Sequence, residues 1–315
     1  MKLIHYKEGQ YPSQADPFLI RAHDGKFYMY VSAMDSYGIH AFRSDSLCGE
    51  YEDIGVVCNV PGCHQYWAPS VIYTGGKYYM YLSFMKAEET DTRYQTMHVL
   101  ESDSPAGPFV NPIKLAEPFS IDSHVVENEE GLFMFYSIND YEAERAGTYI
   151  VVDKMESPTK MCGKPVAVVR ATLDEEIYTR NSAVVNGRNW HTIEGAFYFK
   201  KGDYHYVIYS GNCYRNEYYY LGYSVAKTTE KDLTKIKFTK YPDENTYAPL
   251  IAKNEYAEGT GHNSVIDVDG EFYAIYHGRD IGVSGKGNND TRTARICRLV
   301  IDGEKITAIR KENSL

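Results

Sequence analysis

The sequence predicts an all-β fold, a five-bladed β-propeller with a catalytic pocket on its central axis, and three observations predict it. One pattern recurs five times along the chain. Each copy opens with a glycine turn that leads into an aromatic-rich strand. Finally, 30 of the 315 residues are tyrosine, a residue that favours strands and can pair its hydroxyl at a half-wet surface or around a polar ligand. The copies read "DGKFYMYVSA" (24–33), "GGKYYMYLSF" (75–84), "EGLFMFYSIN" (130–139), "KGDYHYVIYS" (201–210) and "DGEFYAIYHG" (269–278).

The turn glycines are Gly25, Gly76, Gly131, Gly202 and Gly270, at successive spacings of 51, 55, 71 and 68 residues. Glycine ahead of a strand supplies the positive φ of a tight hairpin turn, and the alternation that follows has the strand period of two. A short strand precedes each copy: "ADPFLI", "WAPSVI", "DSHVVE", "EGAFYF" and "GHNSVI". Further strand-like pieces follow, among them "IHAFRSD", "QTMHVLESD", "TYIVVD" and "YLGYSVAK". Four short strands in a repeated unit are the signature of a propeller blade. The two longest spacings leave room for insertions such as "TLDEEIYTRNSAVVNGRN". No Pro/Ser-rich linker or helical block divides residues 1–315, which predicts a single domain. A two-sheet sandwich would also use many short strands, but it gives no reason for five matched segments.

A net charge of −10 argues against nucleic acid or an anionic membrane as partner and favours a neutral or cationic small molecule. The start, "MKLIHYKEGQYPSQADPF", lacks the apolar core of a secretion signal, and no apolar run approaches membrane-spanning length. Six cysteines are scattered in a chain too large to need disulfide staples. "CNVPGCH" has no second half to complete a zinc site. The expected location is the cytoplasm.

Counting back from the turn glycines finds the chemistry. Asp16, Trp67 and Asp122 lie nine residues before Gly25, Gly76 and Gly131; Glu194 and His262 lie eight before Gly202 and Gly270. Taken singly, Asp16 before Pro17 is an ordinary turn residue, Trp67 is packing, Glu194 caps a turn and His262 is a hydrogen-bonded structural residue. Their shared offset lifts them, because the innermost strand of every blade lines the central channel. Three carboxylates converging there cannot all ionise freely, which points to a metal site or to acid–base chemistry. None of the three lies in a D-x-D calcium loop. Glycoside hydrolysis needs one carboxylate ionised, one protonated and an aromatic wall for the sugar, and Trp67 supplies the wall.

At this point the chain resembles glycoside hydrolase family 43, five-bladed propellers that act on arabinose- and xylose-containing polymers. The residues that carry the resemblance are "ADPFLI…DGKFYMYVS", "YWAPSVIYTGGKYYMYLS", "IDSHVVENEEGLFMFYS", "HTIEGAFYFKKGDYHYVIYSGN" and "GTGHNSVIDVDGEFYAIYHGR". The resemblance implies an inverting mechanism with Asp16 as general base, Glu194 as general acid and Asp122 adjusting the pKa and orientation of Glu194. Base and acid would then stand roughly 6.5–9.5 Å apart. It makes His262 the axial histidine and a candidate metal ligand, with calcium in the channel as a candidate cofactor. It also brings an arginine to the sugar: Arg292 first, Arg295 or Arg279 otherwise. The substrate implied is an arabino-oligosaccharide, cut by an exo-α-L-arabinofuranosidase on α-1,5-linked arabinose. β-Xylosidase, endo-arabinanase and a non-catalytic sugar-binding propeller are the alternatives.

Overall fold

The computed structural model describes residues 1–3, 13–33, 37–285 and 292–310. Four strands in simple up-and-down order make four of the five repeated units, and in the third two short strands share the outermost place. Blade I holds β1 (Phe18–Arg21), β2 (Phe27–Val31), β3 (Ile39–Ser44) and β4 (Glu52–Cys58). Blade II holds β5 (Cys63–Thr74), β6 (Lys77–Lys86), β7 (Thr96–Ser102) and β8 (Val110–Lys114). In blade III, β9 (Ser120–Asn128), β10 (Gly131–Asp140) and β11 (Gly147–Ser157) are followed by the short β12 (Lys160–Met161) and β13 (Val166–Val169), both paired with β11. After the insertion strand β14 (Ile177–Thr179), blade IV holds β15 (Trp190–Lys201), β16 (Tyr204–Gly211), β17 (Tyr220–Lys227) and β18 (Thr239–Lys240). Blade V holds β19 (Glu258–Val268), β20 (Glu271–Arg279), β21 (Thr293–Asp302) and β22 (Lys305–Ile309). The five turn glycines named above all have positive φ.

Period-two alternation explains why the second strand of each blade is apolar on both faces. In β2, Tyr28 and Tyr30 enter the core shared with blade II, whereas Phe27, Met29 and Val31 enter the core shared with blade V. In β10, Leu132, Met134 and Tyr136 face blade II while Phe133 and Phe135 face blade IV. Blades IV and V meet over Tyr206, Ile208, Ala274 and Tyr276. Among the described residues five apolar clusters therefore fill five seams. Each fully buried large side chain is worth about 1.5–3 kcal/mol, so the seams hold the ring together.

Several of the tyrosines serve these seams. The hydroxyl of Tyr30 donates to the Pro105 carbonyl at 2.7 Å and that of Tyr81 to the Pro158 carbonyl at 2.9 Å. Tyr206 reaches the Gly303 carbonyl in the same way. Each bond crosses from one blade to the next. A tyrosine ring can thus fill a seam while its tip satisfies a backbone carbonyl at the rim.

The ring is closed. The innermost strands β1, β5, β9, β15 and β19 pack side by side, with β19 back against β1. At the outer rim the N-terminal segment pairs with blade V: Leu3 N donates to the Ala294 carbonyl at 2.8 Å and Ile296 N to the Met1 carbonyl at 2.9 Å. Blades III and IV are also stitched directly, since β11 runs parallel to β15 at Gly147–His191 and Thr148–Thr192.

Candidate active site

Near the start of each innermost strand the backbone aims side chains into the channel, through a register break in blades II to V. At the channel each blade has a left-handed residue: Asp16 (φ 52°), Ala68 (46°), Asp122 (58°), Gly195 (65°) and His262 (43°), with Gln65 and Gly259 left-handed three residues earlier in blades II and V. Four of the five are not glycine, and each costs about 1–2 kcal/mol relative to ordinary backbone. The offsets in the sequence put Trp67 and Glu194 at the same position as Asp16, Asp122 and His262. The structure corrects this. Trp67 and Glu194 precede the left-handed residue, pairing with Ser83 and Ser210 of the next strand. Ile121 and Gly261 occupy that preceding place in blades III and V, opposite Ser137 and His277. In each blade the functional side chain stands at one of two adjacent positions, the left-handed residue or the one before it; the glycine offset does not tell them apart, since Asp16 and Trp67 share nine and Glu194 and His262 share eight.

All six predicted residues meet in one cavity, lined by Asp16, Trp67, Asp122, Glu194, His262 and Arg292. The Asp16 carboxylate sits among donors. Ser32 Oγ donates to its Oδ2 at 2.5 Å, and Arg292 Nη1, His262 Nδ1 and His277 Nδ1 stand 3.5, 3.4 and 3.2 Å from its Oδ1. Burial works to raise its pKa, but His262, Arg292 and His277 outweigh burial and hold it well below the usual carboxylate range.

Across the cavity the balance reverses. Burial first, then Glu194 and Asp16, raise Asp122 well above its ordinary value, although its Oδ2 accepts the Gly195 N–H at 3.1 Å. Burial and the Asp16 charge raise Glu194 to about 7, against the opposing pull of the Tyr219 hydroxyl and Arg292. The Asp122–Glu194 pair thus keeps a proton at neutral pH while Asp16 stays ionised. Trp67 is held as a wall by its indole N–H, which donates to Gln65 Oε1 at 2.9 Å.

Of the three arginines considered, Arg292 is the one at the site, with its guanidinium 5.0 Å over the Tyr214 ring. Arg295 instead pairs with Asp280 at 2.8 Å, and Arg279 donates to the Tyr214 carbonyl at 2.8 Å. Four residues at the site escape the glycine count: Ser32, Tyr214, Tyr219 and His277. A signal existed for two of them. Ser32, Ser83, Ser137, Ser210 and His277 hold equivalent places in the second strands, so His277 is the odd member of a serine column. Two members cross a seam to accept the left-handed N–H of the next blade, Ser32 from Ala68 at 2.7 Å and Ser210 from His262 at 2.8 Å, while in the fifth blade His277 Nδ1 lies 3.2 Å from both the Asp16 backbone nitrogen and its Oδ1. Tyr214 and Tyr219 come from the β16–β17 connection, which carries no repeat signal.

The groups around His262 do not suit the calcium that the resemblance implies. Calcium takes six to eight oxygens, and His262 faces a carboxylate already engaged by an arginine, a second histidine and a serine. Among the described residues no three His, Cys, Asp or Glu side chains are grouped to hold a metal.

A closed five-bladed propeller, with one ionised and one protonated carboxyl facing each other across one cavity, defines a glycoside hydrolase. The chain belongs to glycosyl hydrolases family 43, which matches residues 11–305. Among solved structures, a thermostable family-43 glycoside hydrolase is similar over 99% of this chain and 98% of its own, with 26% identity and a TM-score of 0.78. An α-L-arabinofuranosidase from Lactobacillus brevis matches 94% of this chain and 93% of its own at 20% identity and a TM-score of 0.75. An endo-1,4-β-xylanase from Bacteroides thetaiotaomicron VPI-5482 matches 96% of both chains at 23% identity and a TM-score of 0.74. These last two likenesses speak to the fold. No curated protein matches the chain.

Proposed function

We propose that the protein is an inverting exo-α-L-arabinofuranosidase that releases terminal arabinose from α-1,5-linked arabino-oligosaccharides. The observation that carries this reading is the pocket in which Asp16, Asp122 and Glu194 converge with Trp67 and Arg292, the acid–base groups and aromatic wall that removal of a terminal sugar needs. Asp16 takes a proton from water as the water oxygen bonds to the anomeric carbon. The glycosidic C–O bond breaks, and Glu194 delivers its proton to the departing oxygen. Asp122, through Gly195, holds the backbone beside the acid. Each turnover moves one proton from Glu194 to Asp16, and solvent returns it.

Beyond Glu194 the cavity opens into a cleft of about 480 Å³, lined by Tyr141, Trp190, Tyr178, Arg93 and Arg215. The rings of Tyr141 and Trp190 are 5.3 Å apart. Aromatic faces beside the acid suit further sugar units on the leaving side, which favours oligosaccharides over small glycosides. All six cysteines are free, which supports a reducing compartment such as the cytoplasm as the setting.

The test is hydrolysis of linear α-1,5-arabino-oligosaccharides and of aryl α-L-arabinofuranoside and β-xyloside, with product anomers read by proton NMR. Arabinose alone, released first as the inverted anomer, is expected. Asp16→Asn and Glu194→Gln should each lose about 10²–10⁴-fold in kcat on the oligosaccharides while folding normally. Preferred turnover of the xyloside would replace the substrate and keep the mechanism. No turnover of any glycoside by folded enzyme would refute the reading.

A further inference from the structure

Tyr219 lies outside the repeat pattern, yet its surroundings are built for it. Its ring occupies the space where a side chain at position 261 would stand: a Cβ on Gly261 would meet the ring at 1.9 Å. The ring stacks on His277 with centroids 5.7 Å apart and planes at 11°. Its hydroxyl donates to Glu194 Oε1 at 2.7 Å. Ser210, which accepts the His262 N–H at 2.8 Å, also hydrogen-bonds the Tyr219 hydroxyl. A chain of hydrogen bonds thus runs from the backbone of blade V through Ser210 and Tyr219 to the carboxyl of Glu194, and such chains polarise and stiffen one another.

We propose that Tyr219 is the positioning residue of the general acid: by donating to Oε1 it confines the Glu194 proton to Oε2 and turns that oxygen towards the leaving group. A carboxyl has two oxygens, and a proton on the wrong one is useless to the substrate. An O–H donor fixed on Oε1 repels a proton there. The same bond favours the carboxylate, so it offsets part of the burial that raises Glu194. The other titratable or charged groups that bear on Glu194 are Asp16, Asp122, Arg292, Tyr178 and Cys213, and none of them is altered by removing one hydroxyl. The assignment rests on Glu194 as the acid, so one arm of its test is independent of any substrate.

The variant is Tyr219→Phe, which keeps the ring that Gly261 and His277 accommodate. In ¹³C-carboxyl NMR, with Glu194→Gln identifying the resonance, Glu194 should titrate at higher pH in Tyr219→Phe than in wild type. Fluorotyrosine at position 219, a stronger donor, should move it to lower pH. In kinetics, Tyr219→Phe should lose about 10–100-fold in kcat on oligosaccharides, whose leaving group needs the proton. It should lose little on aryl glycosides bearing strongly electron-withdrawing groups, and its basic pH limb should move upwards. An unchanged Glu194 titration overturns the proposal. So does an equal loss on both substrate types with an unmoved basic limb, the mark of a merely structural tyrosine. If wild type hydrolyses no glycoside, the functional reading fails, and the NMR titration still decides whether Tyr219 governs Glu194.

Discussion

Asp16 and Glu194 carry the same functional group, and only their neighbours give them opposite charge states. The mechanism proposed above uses Asp16 ionised and Glu194 protonated. The rate should therefore fall on the alkaline side as pH rises through about 7, and on the acid side only well below the usual carboxylate range. Arg292 lowers the pKa of both, so Arg292→Met should move both limbs of the kcat/KM profile towards higher pH. Stability follows the same linkage. Glu194 binds its proton more tightly folded than unfolded, so its burial costs nothing below the ordinary glutamate pKa. The cost grows as pH rises from there to about 7. Glu194→Gln should accordingly raise the thermal midpoint at pH 8, by the equivalent of about 3 kcal/mol, and leave it nearly unchanged at pH 4. Calorimetry at the two pH values checks this; an equal gain at both would contradict it. The carboxylates were visible in the sequence because each repeats a place. Their charge states were not, since these depend on Arg292, His277 and Tyr219 arriving from blade V and from the β16–β17 connection.

The elements divide their labour along the strand, with bulges at the channel end and tyrosine tips at the rim. Tyr81 is fully buried and its hydroxyl reaches Pro158 across the seam. Tyr81→Phe should destabilise the protein by about 1–2 kcal/mol, by leaving a carbonyl unpaired, without affecting turnover. Chemical denaturation with a parallel activity assay checks both halves. Trp190 lies on the cleft and away from the reacting carboxyls. Trp190→Ala should raise KM for oligosaccharides about tenfold, the equivalent of ~1.4 kcal/mol of lost stacking, and leave aryl glycosides unaffected. The hairpins could be read directly, because a glycine of positive φ before an alternating run has one main interpretation. The insertion between blades III and IV could be recognised only as extra length. Tyr178 and its neighbours contribute to the cleft wall through tertiary packing that no periodicity announces. The one-residue offset at Trp67 and Glu194 left no mark on the glycine spacing, since Trp67 shares nine with Asp16 and Glu194 shares eight with His262. It could be seen only in the folded strands.

The whole molecule is a ring of five seams, and a ring is only as strong as its closure. Blade V meets blade I over Leu19, Met29, Ile275 and Ile296, with Leu3 packed against the same cluster. Leu3→Ala should cost about 2–5 kcal/mol. It should raise amide hydrogen exchange in β1 and β21 before any other strands, which mass spectrometry of the native protein would register. Uniform exchange around the ring would show that closure is not its weak point. The two adjacent positions near the start of each innermost strand carry a different consequence, one for how such a protein can change over evolutionary time. Apolar residues further along the strands specify assembly, while a dipeptide at each inner end specifies chemistry, and the two messages scarcely overlap. Each dipeptide can present its first or its second letter, as Glu194 and Asp122 do. Five such dipeptides form a small keyboard, on which a new combination can be tried without rewriting the frame that holds the keys.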